Sequence, residues 1–263
     1  MSGVRLPVAA GIFYPAQPDA LAATVDALLA AAEPILPKGR LRALVAPHAG
    51  YAYSGAVAAT AFASLRLRAR PPRVALLGPS HFAPLDGAAV TAADAWKTPL
   101  GAVPVDPELR ETAVEAGAAI DERPHSDDHA LEVELPFLQR TAGDGLRVLP
   151  VAIGDDATAV VDALAADALL VVSTDLSHYH DDASARRLDR GTAAAVLALD
   201  AAAIGNLDAC GAAALRGLLR HARREGWTCT LLDLRTSADA SGDPSRVVGY
   251  GAFALTEGDA RLR

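Results

Sequence analysis

Four short apolar runs constrain this chain more than any other feature. Residues 41–46, 74–77, 148–153 and 169–173 are rich in Val and Leu and bounded by turn residues. Runs without polar alternation read as strands buried on both faces, which requires a parallel sheet covered by helices on each side. Segments of helical period separate them, at residues 20–32, 54–65, 131–140, 157–166, 183–199 and 209–224. Asp19, Ser54, Asp156, Asp182 and Asp208 are the expected N-caps, because their side-chain oxygens can accept from free backbone N–H groups. Two further strands are expected at 228–235 and 247–255, flanking the polar loop 236–246. This alternation predicts an α/β fold, a single three-layer domain over residues 1–263 with a mostly parallel central sheet.

Bulk properties exclude several functions. Hydrophobic residues make up 51 % and aromatics only 5 %, so the core must be built chiefly from Ala, Val and Leu. The net charge of −8 argues against nucleic acid as a partner, since a phosphate backbone needs clustered positive charge. The densest basic stretch, Arg66, Arg68, Arg70 and Arg73, joins a helix to a strand and reads as a solvated loop. Cys210 and Cys229 are too few for a disulfide framework. No basic segment followed by an apolar run marks a signal peptide. The longest apolar stretch, 157–174, is interrupted by Asp162 and Asp167, so no membrane span is expected. A reducing, cytoplasmic setting is the expectation. A Gly-x-Gly-x-x-Gly turn, a Walker loop and a Gly-x-Ser-x-Gly elbow are all missing, which leaves nucleotide binding and serine hydrolysis without support.

The chemistry-bearing residues sit where strands are expected to end. One run leads into Ala46-Pro47-His48-Ala49-Gly50-Tyr51, a second into Gly78-Pro79-Ser80-His81, and a third into Ser173-Thr174-Asp175-Leu176-Ser177-His178. Parallel strands bring their carboxyl ends to one edge of the sheet, where α/β proteins build their sites. Histidines converging there suit Fe, Cu or Zn, often with a carboxylate completing the set. His48, His81 and His178 are therefore expected to converge on one metal-binding pocket. Asp175 and His178 are three apart and can act as ligands, as orienting groups or as an acid/base pair. The segment from His125 to Glu132 reads equally as a solvated capping turn before a helix or as one that turns a neutral His129 to the pocket, with Glu132 one turn away. Cys210 at a helix start reads equally as an activated thiol or as a small buried residue. Tyr51, Tyr53, Phe82 and Tyr179 can frame a flat ligand or pack beneath the loops.

These same turns resemble the Memo family, whose bacterial and archaeal members are called AmmeMemoRadiSam system protein B. The resemblance runs nearly end to end, through Ala10-Gly11-Ile12-Phe13-Tyr14-Pro15, Ala46 to Gly55, Leu77 to His81, His129 to Phe137, Ser173 to Tyr179, Ala209-Cys210-Gly211 and Val247-Val248-Gly249-Tyr250. It implies a fold similar to class III extradiol, non-haem iron dioxygenases and a redox metal, Fe(II) or copper, with His48 and His81 as ligands. It also implies that Asp175 and His178 line the pocket, with His178 as the acid/base residue. The animal relative supplies a cysteine ligand from the loop before the last strand. Here residues 236–243 contain none, so Asp239, Asp243 or Asp175 is expected to complete a harder, iron-like set. The implied activity is dioxygenase-like redox chemistry on a small molecule, with His178, Asp175 and His129 in catalytic roles. The alternative is a non-catalytic scaffold working with radical SAM and AMMECR1-like partners.

Overall fold

The computed structural model describes residues 3–33, 35, 38–67, 73–143, 145–156 and 158–258. Its strands are β1 (Val4–Arg5), β2 (Arg40–Ala46), β3 (Arg73–Pro79), β4 (Ala88–Val90), β5 (Ala95–Thr98), β6 (Gly101–Pro104), β7 (Ala119–Ile120), β8 (Arg147–Ile153), β9 (Leu169–Ser173), β10 (His178–His180), β11 (Thr228–Thr236) and β12 (Val247–Glu257). Its helices are α1 (Pro18–Ala31), α2 (Tyr51–Ala63), α3 (Pro107–Glu115), α4 (Arg123–Ser126), α5 (Leu135–Thr141), α6 (Thr158–Leu164), α7 (Asp182–Leu197), α8 (Ala212–Arg224) and α9 (Ala238–Ser241).

The four apolar runs form the centre of the sheet as neighbouring parallel strands, in the order β2-β9-β3-β8. Their Val and Leu side chains are buried on both faces, as the missing alternation requires. Helices cover both sides: α2 packs on β2 and β12, and α8 packs on β3 and β9. The sheet is mixed rather than parallel throughout. β12 runs antiparallel to β2, β4 runs antiparallel to β8, and β10 and β11 both pair antiparallel with β12. A mostly parallel sheet thus describes the middle and not the margins. Strands β11 and β12 were expected from the sequence, whereas β4, β7, β10 and the small separate sheet β1-β5-β6 come from strands too short to carry a periodic signal.

Local start signals fell one or more residues from their expected places. Helix α1 has Gln17 at its N-cap and Pro18 at its first turn, with Asp19 inside that turn. Helix α2 begins at Tyr51, so Ser54 lies within it and its hydroxyl returns to the Ala49 carbonyl at 2.9 Å. Asp181 caps α7 by accepting from Ser184 N–H, while Asp182 reaches Arg186 at 2.8 Å. Asp208 accepts from Gly205 N–H, and Gly211 occupies the N-cap of α8. Asp156 does serve α6, accepting from Thr158 N–H at 2.9 Å. Of the basic stretch, Arg73 is held by both oxygens of Asp106 at 2.7 and 2.8 Å. Arg68, Arg70, the side chain of Arg66 and Ala157 lie outside the described residues.

The N-terminal segment is fastened by a buried ion pair. Glu132 has no exposed surface and accepts from Arg5 Nη1 at 2.6 Å, Val8 N–H at 2.8 Å, Ala9 N–H at 2.9 Å and the Tyr14 hydroxyl at 2.5 Å. Arg5 also donates to the carbonyls of His125 and Asp128, both at 2.8 Å, and its guanidinium lies 4.0 Å from the Trp96 ring centroid. Glu132 is therefore a structural anchor and does not face the pocket. Removing one partner of such a pair strands a buried charge. Arg5→Met should lower stability by about 3–5 kcal/mol in urea unfolding, and adding Glu132→Gln should recover part of that loss.

Candidate metal centre

The site forms beyond the carboxyl ends of the parallel strands. β2 delivers His48, β3 delivers His81, and β9 leads directly into Thr174 and Asp175. Cys210 arrives from the segment just before α8, where Gly211 passes so close to β9 that a Cβ would stand 2.8 Å from Thr174 and 2.9 Å from the Ser173 carbonyl. Only glycine permits that approach. The rings of His48, His81 and His129 gather with centroids 5.2–5.6 Å apart. Among the described residues two groups have metal-ligand spacing, with one donor atom from each residue within 4.8 Å of the others. The first is His48, His81 and Cys210, and the second is His81, Asp128 and His129.

His48 is buried and fully constrained. Its Nδ1 lies 2.8 Å from Ser173 Oγ, and its Nε2 lies 3.3 Å from Cys210 Sγ. Burial, followed by the charges of His81 and His129, holds its pKa well below the usual imidazole range. The ring is thus neutral, with an in-plane lone pair free for a metal. His81 is held from behind by Asp128, which accepts from His81 N–H at 2.6 Å and lies 3.1 Å from His81 Nδ1. A carboxylate on the far ring nitrogen orients a ligating histidine and raises its basicity. Burial alone would raise the Asp128 pKa, but hydrogen bonds from His81 and Ala130 N–H bring it down to about 2. Asp128 therefore stays charged. His129 is sandwiched between Phe13, at 3.9 Å, and His81, with near-parallel rings. Burial lowers its pKa to about 4, which leaves the ring neutral.

Other expected site residues occupy different positions. Asp175 falls outside both ligand-spaced groups. It is buried, and its Oδ1 accepts from His48 N–H at 2.9 Å, so it fixes the loop carrying His48. Burial raises its pKa to about 7 against the opposing hydrogen bonds from His48 and Ala49. His178 is only part-buried, has a pKa lowered by burial, and contributes to the electrostatic environment of His48. Asp239 is spoken for by Arg186 at 2.8 Å and by Thr236 N–H, and Asp243 accepts from Ser245 N–H. Neither loop acid belongs to a ligand-spaced group. Tyr51 packs below the loop with its hydroxyl on the Val133 carbonyl, whereas Phe82 and Tyr179 are 66 % and 63 % exposed. His125 is buried edge-on against Trp96, away from the cluster.

Cys210 was the residue hardest to place from sequence. Its signals were the following glycine at an expected helix start and the Ala209-Cys210-Gly211 block. Part-buried beside His48, its thiol is pushed up to about 12 by desolvation and then by Asp175. A metal must displace that proton to gain a thiolate ligand.

A central parallel sheet that gathers two histidines and a thiol at its strand ends defines an α/β protein with a candidate metal centre. Comparison with known proteins gives the family. The profile of Memo-like proteins matches residues 5–254. A MEMO1 family protein of Methanopyrus kandleri is 34 % identical over 97 % of this chain and 99 % of its own. One from Aquifex aeolicus is 36 % identical over 94 % of this chain and 97 % of its own. The chain belongs to the Memo-like family. The crystal structure of an uncharacterised protein from Escherichia coli K12 shares the fold, with a TM-score of 0.54, 15 % identity, and coverage of 81 % of this chain and 99 % of that one. Among the described residues no helix is long and apolar enough to cross a membrane.

Two pH effects follow. The folded pKa of Asp175 lies above its ordinary value, so its stabilising contribution is complete below about pH 4 and disappears as pH rises through about 7. Metal-free protein should lose melting temperature over that window, and Asp175→Asn should flatten the trend. Metal binding should release the Cys210 proton, so Zn(II) affinity measured by chelator competition should rise about tenfold per pH unit between about pH 7.5 and 9. Cys210→Ser should reduce that slope, and an unchanged slope would remove the thiol from the site.

Proposed function

We propose that this protein is a metal-dependent redox protein acting on a small molecule, with iron or copper held by His48, His81 and Cys210. The observation that supports it is the placement of Cys210 Sγ 3.3 Å from His48 Nε2, with His81 in the same ligand-spaced group. Two imidazoles and a thiolate form a softer set than the acid-completed, iron-like one expected from the loop sequence, which moves the preference toward copper. Three protein donors leave further coordination positions for a substrate. A bound metal would supply Lewis acidity and electron-transfer capacity.

The chain's own residues would do the remaining work. Asp128 and Ser173 orient the two ligand rings from their far nitrogens. Phe13 and His129 stack over His81 and shield that side from water. His178, part-buried and near enough to act electrostatically on His48, would take a proton from an incoming substrate. Exposed Phe82, at 6.1 Å from the His81 ring, offers an apolar wall for it.

Anaerobic titration tests this reading. One Cu(I) or Fe(II) per chain should bind, His48→Ala and His81→Ala should each weaken affinity at least ~100-fold, and Cys210→Ser should weaken Cu(I) more than Fe(II). Wild-type protein that binds neither metal, or binds both equally well without the histidines, would overturn it.

A further inference from the structure

The buried contacts behind His48 leave little freedom in where protons sit. Ser173 Oγ has three close partners: the Ala130 carbonyl at 2.7 Å, Glu134 Oε1 at 2.9 Å and His48 Nδ1 at 2.8 Å. A hydroxyl carries one hydrogen and two lone pairs. The carbonyl of Ala130 can only accept, so the Ser173 hydrogen belongs there. The two lone pairs of Ser173 then need donors, and only Glu134 and His48 are present to supply them. His48 must carry its hydrogen on Nδ1, and Glu134 must be the neutral acid donating from Oε1.

The rest of the geometry agrees. Glu134 is fully buried and its second oxygen has no hydrogen-bond partner among the described residues, a poor place for a carboxylate charge. On the other side of the ring, Cys210 S–H can donate to His48 Nε2 only if that nitrogen is bare. The chain of donors runs in one direction, from the thiol to His48, to Ser173 and on to Ala130.

We propose that Ser173 is the positioning residue of the centre: by committing its hydrogen to Ala130 it fixes His48 as the Nδ1–H tautomer and presents Nε2 to the metal, with Glu134 completing it as a neutral donor. This rests on the metal-binding reading for its purpose, but the tautomer itself is a property of the metal-free protein. The role differs from that of Asp128 behind His81. A charged carboxylate raises the basicity of its histidine, whereas a serine held by neutral partners orients the ring without adding charge. The two ligand histidines are therefore unequal donors.

Two readouts test this on the full chain. Nitrogen-15 NMR of metal-free protein reports which His48 nitrogen is protonated, and Co(II) titration reports metal affinity. Wild type should show Nδ1–H. Ser173→Ala should mix the tautomers and weaken Co(II) by about 10- to 100-fold with the circular dichroism spectrum intact. Ser173→Thr should restore both. Glu134→Gln, which donates through its amide, should leave both within about threefold of wild type. An Nε2–H tautomer in wild type, or Ser173→Ala with an unchanged tautomer and affinity, would overturn the role of Ser173. Loss in Glu134→Gln as large as in Ser173→Ala would show that Glu134 accepts as a carboxylate and overturn its part. If wild type binds no Co(II), the metal reading fails while the tautomer measurement still decides this one.

Discussion

The pairing of β2 with β9 is the constraint on which the site depends. Ala46 stands opposite Ser173, and Thr174 N–H continues the ladder to the Ala46 carbonyl at 2.8 Å. Two residues past Ala46, His48 then meets both the Ser173 hydroxyl and the Asp175 carboxyl. A slip of one residue would turn every side chain to the opposite face of the sheet. The register of this pair therefore also determines which polar groups touch the imidazole. Packing and chemistry share one register here.

Around that register the protein gathers polar groups in forms suited to receiving a cation. His48 and His129 are neutral, Glu134 is held well above the ordinary carboxyl range by burial, and the Cys210 thiol keeps its proton. Asp128 is the group in the cluster held firmly as an anion. Assembling several lone pairs with one fixed negative charge avoids stacking like charges in a low-dielectric pocket. Buried polar groups of this kind cost stability unless they are paired. Nearly every one is paired here, and the N-terminal strap fastened by Arg5 and Glu132 seals Phe13 over the cluster.

Much of this was legible in the sequence because it depended on strong, local patterns. The four central strands and the placement of His48 and His81 at their ends follow from uninterrupted apolar runs and their terminal turns. The region from Leu85 to Glu122 was not legible, because β4 to β7 are two to four residues long and β4, β5 and β7 pair with partners distant in the chain. Helix α3 within it, capped by Asp106 at Pro107, had a readable start that its weak apolar pattern obscured. The backbone contacts of Asp175 and Glu132 were not legible either, because they depend on where distant N–H groups point. Cys210 entered the site through the close passage of Gly211 over Thr174, a long-range contact that no spacing encodes.

The central claim is that a thiolate from before α8, and not an acid from the loop before β12, joins His48 and His81 at the metal. X-ray absorption spectroscopy of Zn(II)-loaded protein tests this directly. The account predicts one sulfur scatterer at about 2.3 Å and nitrogen scatterers at about 2.0–2.1 Å, with the sulfur lost in Cys210→Ser. A shell of nitrogen and oxygen alone in the wild-type protein would contradict it.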